Sequence, residues 1–207
     1  MLPPAIADHL DALLARHPRP LVAIAGPVAG GKTTLAAAIA EAHDAEALST
    51  DEYLPDYAIV PRMERDEPRH ADLARLAEDV SSLKAGRDTS VPVWSFFENR
   101  RVSERVMRPG RVVVVEGLFA LHPDLADLID LGVFVDGPVE DRRDRFVARS
   151  AEGERGFTVE EATSHFDDIA EPTLWRHLPL YDPQADFRLT HDGSGGFRVL
   201  RGPADRA

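Results

Sequence analysis

The sequence contains no cysteine, and this absence excludes two classes of site at once. Neither a disulfide framework nor a cysteine-ligated metal centre can form. The first 17 residues also lack the charged start and apolar core of a signal peptide. No apolar run approaches the roughly 20 residues that a membrane-spanning helix needs. We therefore expect a cytoplasmic protein.

Positive charge is the second shortage, because 24 Lys and Arg residues face 36 Asp and Glu residues and leave a formal net charge of −12. Nucleic acids and anionic membranes repel such a chain, so we expect neither as a partner. Local basic clusters could still bind a small anion. The composition leaves open whether the protein forms a homo-oligomer. The 207 residues, 43% of them hydrophobic, suit a single domain, 1–207, around one core.

Short apolar runs alternate with amphipathic segments along the chain. The patterns predict strands at 21–25, 45–49, 91–97, 112–115, 131–135, 187–190 and 197–200, the last two around a Gly-rich turn at 192–196. They predict helices at 6–14, 33–43, 72–84, 139–151 and 158–178, with Pro172 kinking or splitting the last one. This alternation predicts an α/β fold, with a mostly parallel sheet and helices on both faces.

One motif carries a specific chemistry. The segment Gly26-Pro27-Val28-Ala29-Gly30-Gly31-Lys32-Thr33 matches G-x-x-x-x-G-K-[ST], follows an apolar strand and opens a helix. Such a loop turns its N–H groups inward onto phosphates, and the helix that follows presents its positive end to the same anion. The motif predicts a nucleoside triphosphate site for ATP with Mg²⁺. The predicted contacts are Gly26, Ala29, Gly30, Gly31, Lys32, Thr33 and Thr34, with Thr33 also a metal ligand.

Three acidic residues follow predicted strands, at the sheet edge where ligands of α/β proteins bind. Glu116 follows four valines and fits an acid that holds Mg²⁺, although it could simply end the strand. Asp51 could accept a proton from a substrate hydroxyl, or could be an N-cap or turn residue. Asp136 precedes Gly-Pro, which favours a turn.

Arginines cluster in two places. Arg142, Arg145 and Arg149 share one face of a predicted helix, and Arg155 follows across a short polar loop. We expect one or two members of this set to close over the transferred phosphate, within a small lid at about 145–158. The alternative is a solvated face paired with nearby acids, which suits Arg142 and Arg143. The second cluster, Arg62, Arg65 and Arg69, alternates with acids and indicates a surface salt-bridge mesh.

An ordered series of motifs resembles the uridine kinase-like family of P-loop kinases, which includes phosphoribulokinase and bacterial pantothenate kinase. After the phosphate loop, the chain has S-T-D-E-Y-L at 49–54, P-V-W-S-F at 92–96, R-R at 100–101, V-V-V-V-E-G-L at 112–118 and V-F-V-D at 133–136, followed by the arginine helix. The resemblance implies a three-layer P-loop NTPase fold and an ATP-dependent phosphotransferase acting on an alcohol.

The same resemblance implies roles for individual residues. Asp51 would be the catalytic base, Lys32 and Arg149 would act on the transferred phosphoryl group, Arg145 would bind the nucleotide, and Glu116 would support Mg²⁺. The implied contacts to a small-molecule substrate are Asp51, Tyr53, Arg69, Trp94, Arg101 and Arg155.

The residues that match the acceptor contacts of uridine kinases differ from the family pattern. Arg69 stands where uridine kinases have a ribose-binding acid, and Trp94, Ser95, Asn99 and Phe157 replace a Tyr, an Asp, a His and a lid arginine. Arg69 has only donors, so it suits a carboxylate or phosphate better than two sugar hydroxyls. We therefore expect a hydroxyl acceptor that is not plain uridine, with an anionic acceptor as one hypothesis. If Arg69 turns outward into salt bridges, that hypothesis loses its basis.

A regulatory NTPase without a small-molecule acceptor is the rival from another class. GTPase switches read guanine through N-K-x-D, and this motif is absent because Asn99, the chain's single asparagine, is followed by Arg100.

Overall fold

The computed structural model describes residues 2–154, 156–191 and 196–203. The strands are β1 Leu21–Ala25, β2 Ala47–Ser49, β3 Thr89–Ser95, β4 Arg100–Met107, β5 Val113–Glu116, β6 Leu131–Asp136, β7 Phe187–His191 and β8 Phe197–Arg201. The helices are α1 Pro4–Leu14, α2 Lys32–Ala42, α3 Leu73–Lys84, α4 Val139–Ala151, α5 Val159–His165 and α6 Glu171–Tyr181. Within these ranges, no helix is long and apolar enough to cross a membrane.

The central sheet has six strands in the order β2-β5-β1-β6-β7-β8. All neighbouring pairs run parallel except β7 and β8, which are antiparallel. The α/β fold predicted from the sequence is therefore confirmed. Because the parallel strands share a direction, the residues that follow β1, β2, β5 and β6 meet at one edge of the sheet.

The core lies in two layers, one on each face of this sheet. Alternate residues of β1 separate the layers, since Leu21, Ala23 and Ala25 face one side whereas Val22 and Ile24 face the other. Apolar positions of α1 and α2 cover the second face, and those of α3 and α6 cover the first. Strand β1 is therefore buried on both faces, which holds the loop that follows it between packed helices.

Strands β3 and β4 form a separate antiparallel hairpin. The sequence patterns predicted a strand at 91–97 but missed β4, whose residues are mostly exposed and carry three arginines. Because β4 buries almost none of its side chains on either face, it has no apolar alternation to reveal it.

The segment predicted as one helix at 158–178 is divided, as Pro172 suggested. Helix α5 ends at His165, a π-helical turn covers Phe166–Ala170, and Pro172 lies in the first turn of α6. Proline has no N–H for the carbonyl four residues before it, and the change of hydrogen-bond pattern falls directly before that position. Of the predicted turn at 192–196, residues 192–195 lie outside the described residues.

Candidate active site

The phosphate loop joins β1 to α2 and is tightly curled. A Cβ atom on Gly26 would collide with the carbonyl oxygen of Val135 on β6, so only glycine allows this close approach. Gly31 has φ of 99° and caps α2, and Ala29 also has a positive φ of 56°. Helix α2 begins at Lys32, so the N–H groups of its first turn are directed toward the loop.

A cavity of about 730 Å³ opens over this loop. Its walls include the loop and helix start at 28–34, and side chains from other elements that the sequence analysis had singled out. These are Asp51, Glu116, Arg145 and Arg149. The fold thus brings the predicted phosphate loop, both predicted acids and two of the predicted lid arginines to one place.

Lys32 lies folded against its own loop. Its Nζ donates a hydrogen bond of 2.8 Å to the carbonyl oxygen of Pro27, at the start of the same loop. The ammonium group is therefore held at the wall of the cavity, within the curl that would surround phosphates.

Glu116 ends β5 at the floor of the cavity and is only 8% exposed. Its Oε1 lies 3.4 Å from the hydroxyl of Thr33, which donates to it. Burial raises the pKa of Glu116, and the nearby charge of Asp51 raises it further, whereas Lys32 and the hydrogen bonds from Thr33 and Ser49 act in the opposite direction. A hydroxyl and a carboxylate are the hard oxygen ligands that Mg²⁺ prefers, so this pair fits that ion.

The pair would hold Mg²⁺ only together with phosphate oxygens and water. The described ranges contain no group of three or more His, Asp or Glu residues arranged for a metal. Magnesium in phosphotransfer sites is held in this way, by one or two protein ligands and the substrate.

Asp51 lies in the short 3₁₀ turn Thr50–Tyr53 that follows β2. The side chain of Ser49 caps this turn and accepts from the N–H of Asp51 at 3.2 Å. The N-cap is therefore Ser49, and Asp51 lines the cavity.

Helix α4 divides its arginines between the cavity and the protein interior. Arg145 donates to the carbonyl oxygen of Ala29 at 2.9 and 3.2 Å, and Arg149 pairs with Glu154 at 2.6 Å beside the cavity. Arg142 is 1% exposed and makes a two-pronged pair with Glu171 at 2.7 and 2.8 Å. The expectation of a solvated Arg142 was thus wrong, since α6 buries it.

Two further sequence predictions can be placed, and one cannot. Arg143 pairs with Asp167 at the surface, as expected for a solvated position. Asp136 accepts a hydrogen bond from the N–H of Gly137 at 2.7 Å, which supports the turn. Arg155, predicted as a substrate contact, lies outside the described residues.

Two predicted substrate contacts lie in the core instead. Tyr53 is fully buried, and its hydroxyl donates to Asp79 at 2.7 Å. Burial, with the charge and hydrogen bond of Asp79, raises the pKa of Tyr53 far above its usual value. Trp94 is 7% exposed and packs edge-on against Tyr57 at 5.2 Å. These placements do not support a direct contact with a substrate and assign both rings to packing.

Arg69 turns away from the cavity. Its guanidinium pairs with Glu64 at 2.8 Å, and its side chain is 60% exposed. This is the outward arrangement that removes the basis for an anion-binding role.

Arg101 borders a second, open cavity of about 500 Å³, next to the turn that carries Asp51. Arg101 lies 3.2 Å from Asp72 and donates to the carbonyl oxygen of Tyr53 at 3.3 Å. Leu54 and His70 also line this space. This second cavity therefore lies beside Tyr53 and Leu54, at the end of the 3₁₀ turn that carries Asp51.

Sequence reasoning missed some residues of the larger cavity, among them His191 at the end of β7. The ring of His191 lies against Gly31, where a Cβ atom would come within 2.8 Å of it, and packs edge-on against Phe197. The signal was its position at the carboxyl end of a parallel strand. The predicted strand, 187–190, stopped one residue short of it.

Comparisons with known proteins agree on one family. The model of the phosphoribulokinase and uridine kinase family matches residues 21–173. The chain is 30% identical to the uridine kinase of Shewanella amazonensis over 187 residues, which is 84% of this chain and 88% of that protein.

Solved structures share the fold. A candidate fructose transport system kinase from Silicibacter sp. TM1040 superposes with a TM-score of 0.69 at 21% identity, over 86% of this chain and 92% of that one. Phosphoribulokinase from Rhodobacter spheroides superposes with a TM-score of 0.58 at 16% identity, over 90% and 76%. At these identities the likeness establishes the P-loop kinase fold.

Proposed function

The chain belongs to the phosphoribulokinase and uridine kinase family, a family of phosphotransferases, and from this premise we propose that it transfers the γ-phosphoryl group of ATP to a hydroxyl of a small molecule. One observation carries the proposal. A single cavity holds the phosphate loop, a buried acid beside a threonine hydroxyl, a second acid at a strand end, and two arginines from one helix.

The loop and the start of α2 would bind the phosphates of ATP. Backbone N–H groups of the loop and the helix terminus supply donors that need no reorganisation. Lys32 would exchange the carbonyl of Pro27 for phosphate oxygens, a move within the same curl. Thr33 and Glu116 would hold Mg²⁺, which supplies neutralising charge to the phosphates when bound.

Asp51 would orient the acceptor and take its proton. The acceptor oxygen forms a bond to the γ-phosphorus while the bond from that phosphorus to the bridging oxygen breaks, and ADP leaves. The hydroxyl proton passes to the carboxylate of Asp51 and then to water. Proton transfer to a positioned carboxylate in this way is the role of general bases in kinases.

Arg145 and Arg149 would stabilise the negative charge of the transferred group. Both line the cavity, but each is paired here, Arg145 with a carbonyl and Arg149 with Glu154. Their guanidinium groups would exchange these partners for phosphate oxygens, which offer charge-assisted and two-pronged hydrogen bonds.

The second cavity is our proposal for the body of the acceptor. It adjoins the turn of Asp51, and its Arg101 is already compensated by Asp72. A neutral, hydroxyl-rich acceptor suits such a balanced pair, because carboxylate and guanidinium together accept from and donate to hydroxyls. An anionic acceptor is the second candidate. Its main support was Arg69, and that support is lost because Arg69 pairs with Glu64.

A coupled assay for ADP release tests the proposal, with MgATP and a panel of nucleosides, sugars and vitamin precursors. We expect ADP release that depends on one class of added alcohol. The matched control is Lys32→Ala, which should abolish that release and leave the thermal midpoint of unfolding unchanged. ADP release at the same rate with and without every acceptor would instead identify a regulatory NTPase.

A further inference from the structure

His165 lies outside both cavities, where three elements meet. It is the last residue of α5 and is 4% exposed. Its ring stacks on Phe146 of α4, with centroids 6.0 Å apart and planes 15° apart. It also lies against Phe157, in the stretch between α4 and α5, at 5.2 Å. The imidazole thus packs against the helix that carries the cavity arginines and against the stretch that follows it.

The polar edge of the same ring contacts a different part of the chain. Its Nε2 lies 3.3 Å from a carboxylate oxygen of Asp66, and both side chains are 5% exposed. The hydroxyl of Tyr57 donates to the other oxygen of Asp66 at 3.4 Å. A buried carboxylate needs such partners, because an unpaired charge in the interior is costly.

Asp66 belongs to the segment Pro61–His70, which ion pairs attach to α6. The adjacent Glu67 is also buried, and α6 supplies its partners, His177 at 3.0 Å and Arg176. The charge pattern predicted a surface mesh for this segment, but two consecutive acids point inward instead. At its end, His70 forms part of the wall of the second cavity.

Side-chain contacts and short stretches of chain together connect the two cavities. Arg145, which lines the nucleotide cavity, precedes Phe146, and Phe146 stacks on His165. His165 in turn contacts Asp66, four residues before His70. A displacement of α4 upon phosphate binding would therefore reach the Pro61–His70 segment through the buried imidazole of His165, beside the surface hydrogen bond from Arg62 to Ser164 of α5.

We infer that His165 is a positioning residue that couples nucleotide binding at the arginine helix to the order of the Pro61–His70 segment. This inference rests on the proposed function, because it requires a nucleotide in the larger cavity. His165 takes part in no chemical step, since it lines neither of the two cavities. Through His165, nucleotide binding in the larger cavity changes the order of the segment that forms part of the wall of the second cavity.

Hydrogen exchange tests the inference without knowledge of the acceptor. The full chain is compared with and without Mg²⁺ and a non-hydrolysable ATP analogue. In the wild type we expect slower exchange at 26–37, where the nucleotide binds, and also at 61–70. In His165→Phe, which keeps a ring against Phe146 but removes the contact to Asp66, protection at 26–37 should remain. The nucleotide-dependent gain at 61–70 should fall about 5-fold or more, the low end of coupling between sites.

A second variant cuts the same contact from the other side. Asp66→Asn keeps the shape of the side chain but replaces one acceptor oxygen with an amide donor and removes the charge facing His165, and it should weaken the response at 61–70 in the same direction. The matched control is Arg143→Ala, which removes an exposed pair between α4 and the π-helical turn and should leave the response intact.

The outcomes separate the two proposals. Protection at 26–37 without any change at 61–70 in the wild type overturns the coupling and leaves the kinase proposal standing. Equal responses at 61–70 in the wild type, His165→Phe and Asp66→Asn overturn it as well. No protection at 26–37 in the wild type would overturn the nucleotide site and the coupling together.

Discussion

At the scale of single residues, the two acids proposed to act in the larger cavity, Asp51 and Glu116, lie in different surroundings. Glu116 is buried at the end of β5 beside Thr33, whereas Asp51 is partly exposed in a turn capped by Ser49. A buried acid next to a hydroxyl suits a metal site, and a more accessible carboxylate suits proton transfer to solvent.

Replacement of Asp51 by Asn tests this division. The amide keeps the size of the side chain but cannot take a proton, so we expect kcat to fall by about 100-fold or more, as for a lost general base. The dissociation constant for MgATP, measured by calorimetry, should stay the same. Weak MgATP binding with normal turnover at saturation would instead make Asp51 a metal ligand.

In the metal-free protein, the ionised form of Glu116 lowers the stability of the fold by an amount that depends on pH. Burial raises its pKa above the usual 4.5, so folding favours the protonated form. Glu116 therefore does not lower the stability of the fold below the pKa that it has in the unfolded chain. As pH rises through the raised pKa of the folded state, the loss of stability grows to its full value.

Glu116→Gln should therefore raise the thermal midpoint of the metal-free protein at pH 7 to 8 and change it little at pH 4. Thermal unfolding in the presence of a chelator, across that pH range, measures the difference. The variant should also need more Mg²⁺ for half-maximal turnover. A midpoint lowered equally at all pH values would show that Glu116 acts through packing.

The placement of some candidate residues could be predicted from the sequence, and that of others could not. Asp51 and Glu116 follow apolar runs, and parallel strands bring such positions together whatever the details of packing. Tyr53 and Trp94 were matched by motif order alone. Motif order does not reveal which side of the chain faces the core, and both rings proved to be buried.

At the scale of elements, α4 is held by a buried arginine and carries exposed ones. Arg142 and Arg143 are adjacent and each makes a two-pronged pair, yet one pair is buried with Glu171 and the other is at the surface with Asp167. Helix α4 thus offers two similar contacts that differ mainly in their access to water.

Arg142→Ala should lower the free energy of unfolding by about 3 kcal/mol, the low end for breaking a buried pair, since it leaves the partly buried carboxylate of Glu171 with the hydrogen bond from Trp175 but without its cation. Arg143→Ala should hardly change it, because water screens an exposed pair. Urea denaturation of both variants and the wild type measures the contrast. Equal losses in the two variants would mean that burial does not set the strength of these pairs.

The elements that the sequence failed to predict share a physical cause. Strand β4 exposes most of its side chains, and the π-helical turn between α5 and α6 differs from an α-helix only in its hydrogen bonds. Periodicity reports burial of one face, so it is silent where no face is buried or where the period hardly changes. The buried Asp66 and Glu67 were missed for a related reason, because their partners lie about 100 residues away.

At the scale of the whole molecule, the architecture was predictable because it depends on few signals. Apolar strands that alternate with helices leave little choice but a parallel sheet between two helical layers. The order β2-β5-β1-β6-β7-β8 places β1 in the interior of the sheet, with the phosphate loop at its end. The acceptor was not predictable to the same degree, since specificity resides in a few side chains on a shared fold.

The two outermost strands of the central sheet have a consequence for how the protein behaves at high concentration. One edge is β2, only three residues long, and the other is β8, where Arg198 is exposed beside Val199 and Leu200. Unpaired peptide groups at a sheet edge are templates on which another molecule can add a strand and start a fibril. A very short edge offers too few of them, and a charged side chain on the other repels an identical neighbour. Both edges are therefore poor templates for strand addition, which disfavours self-templated aggregation.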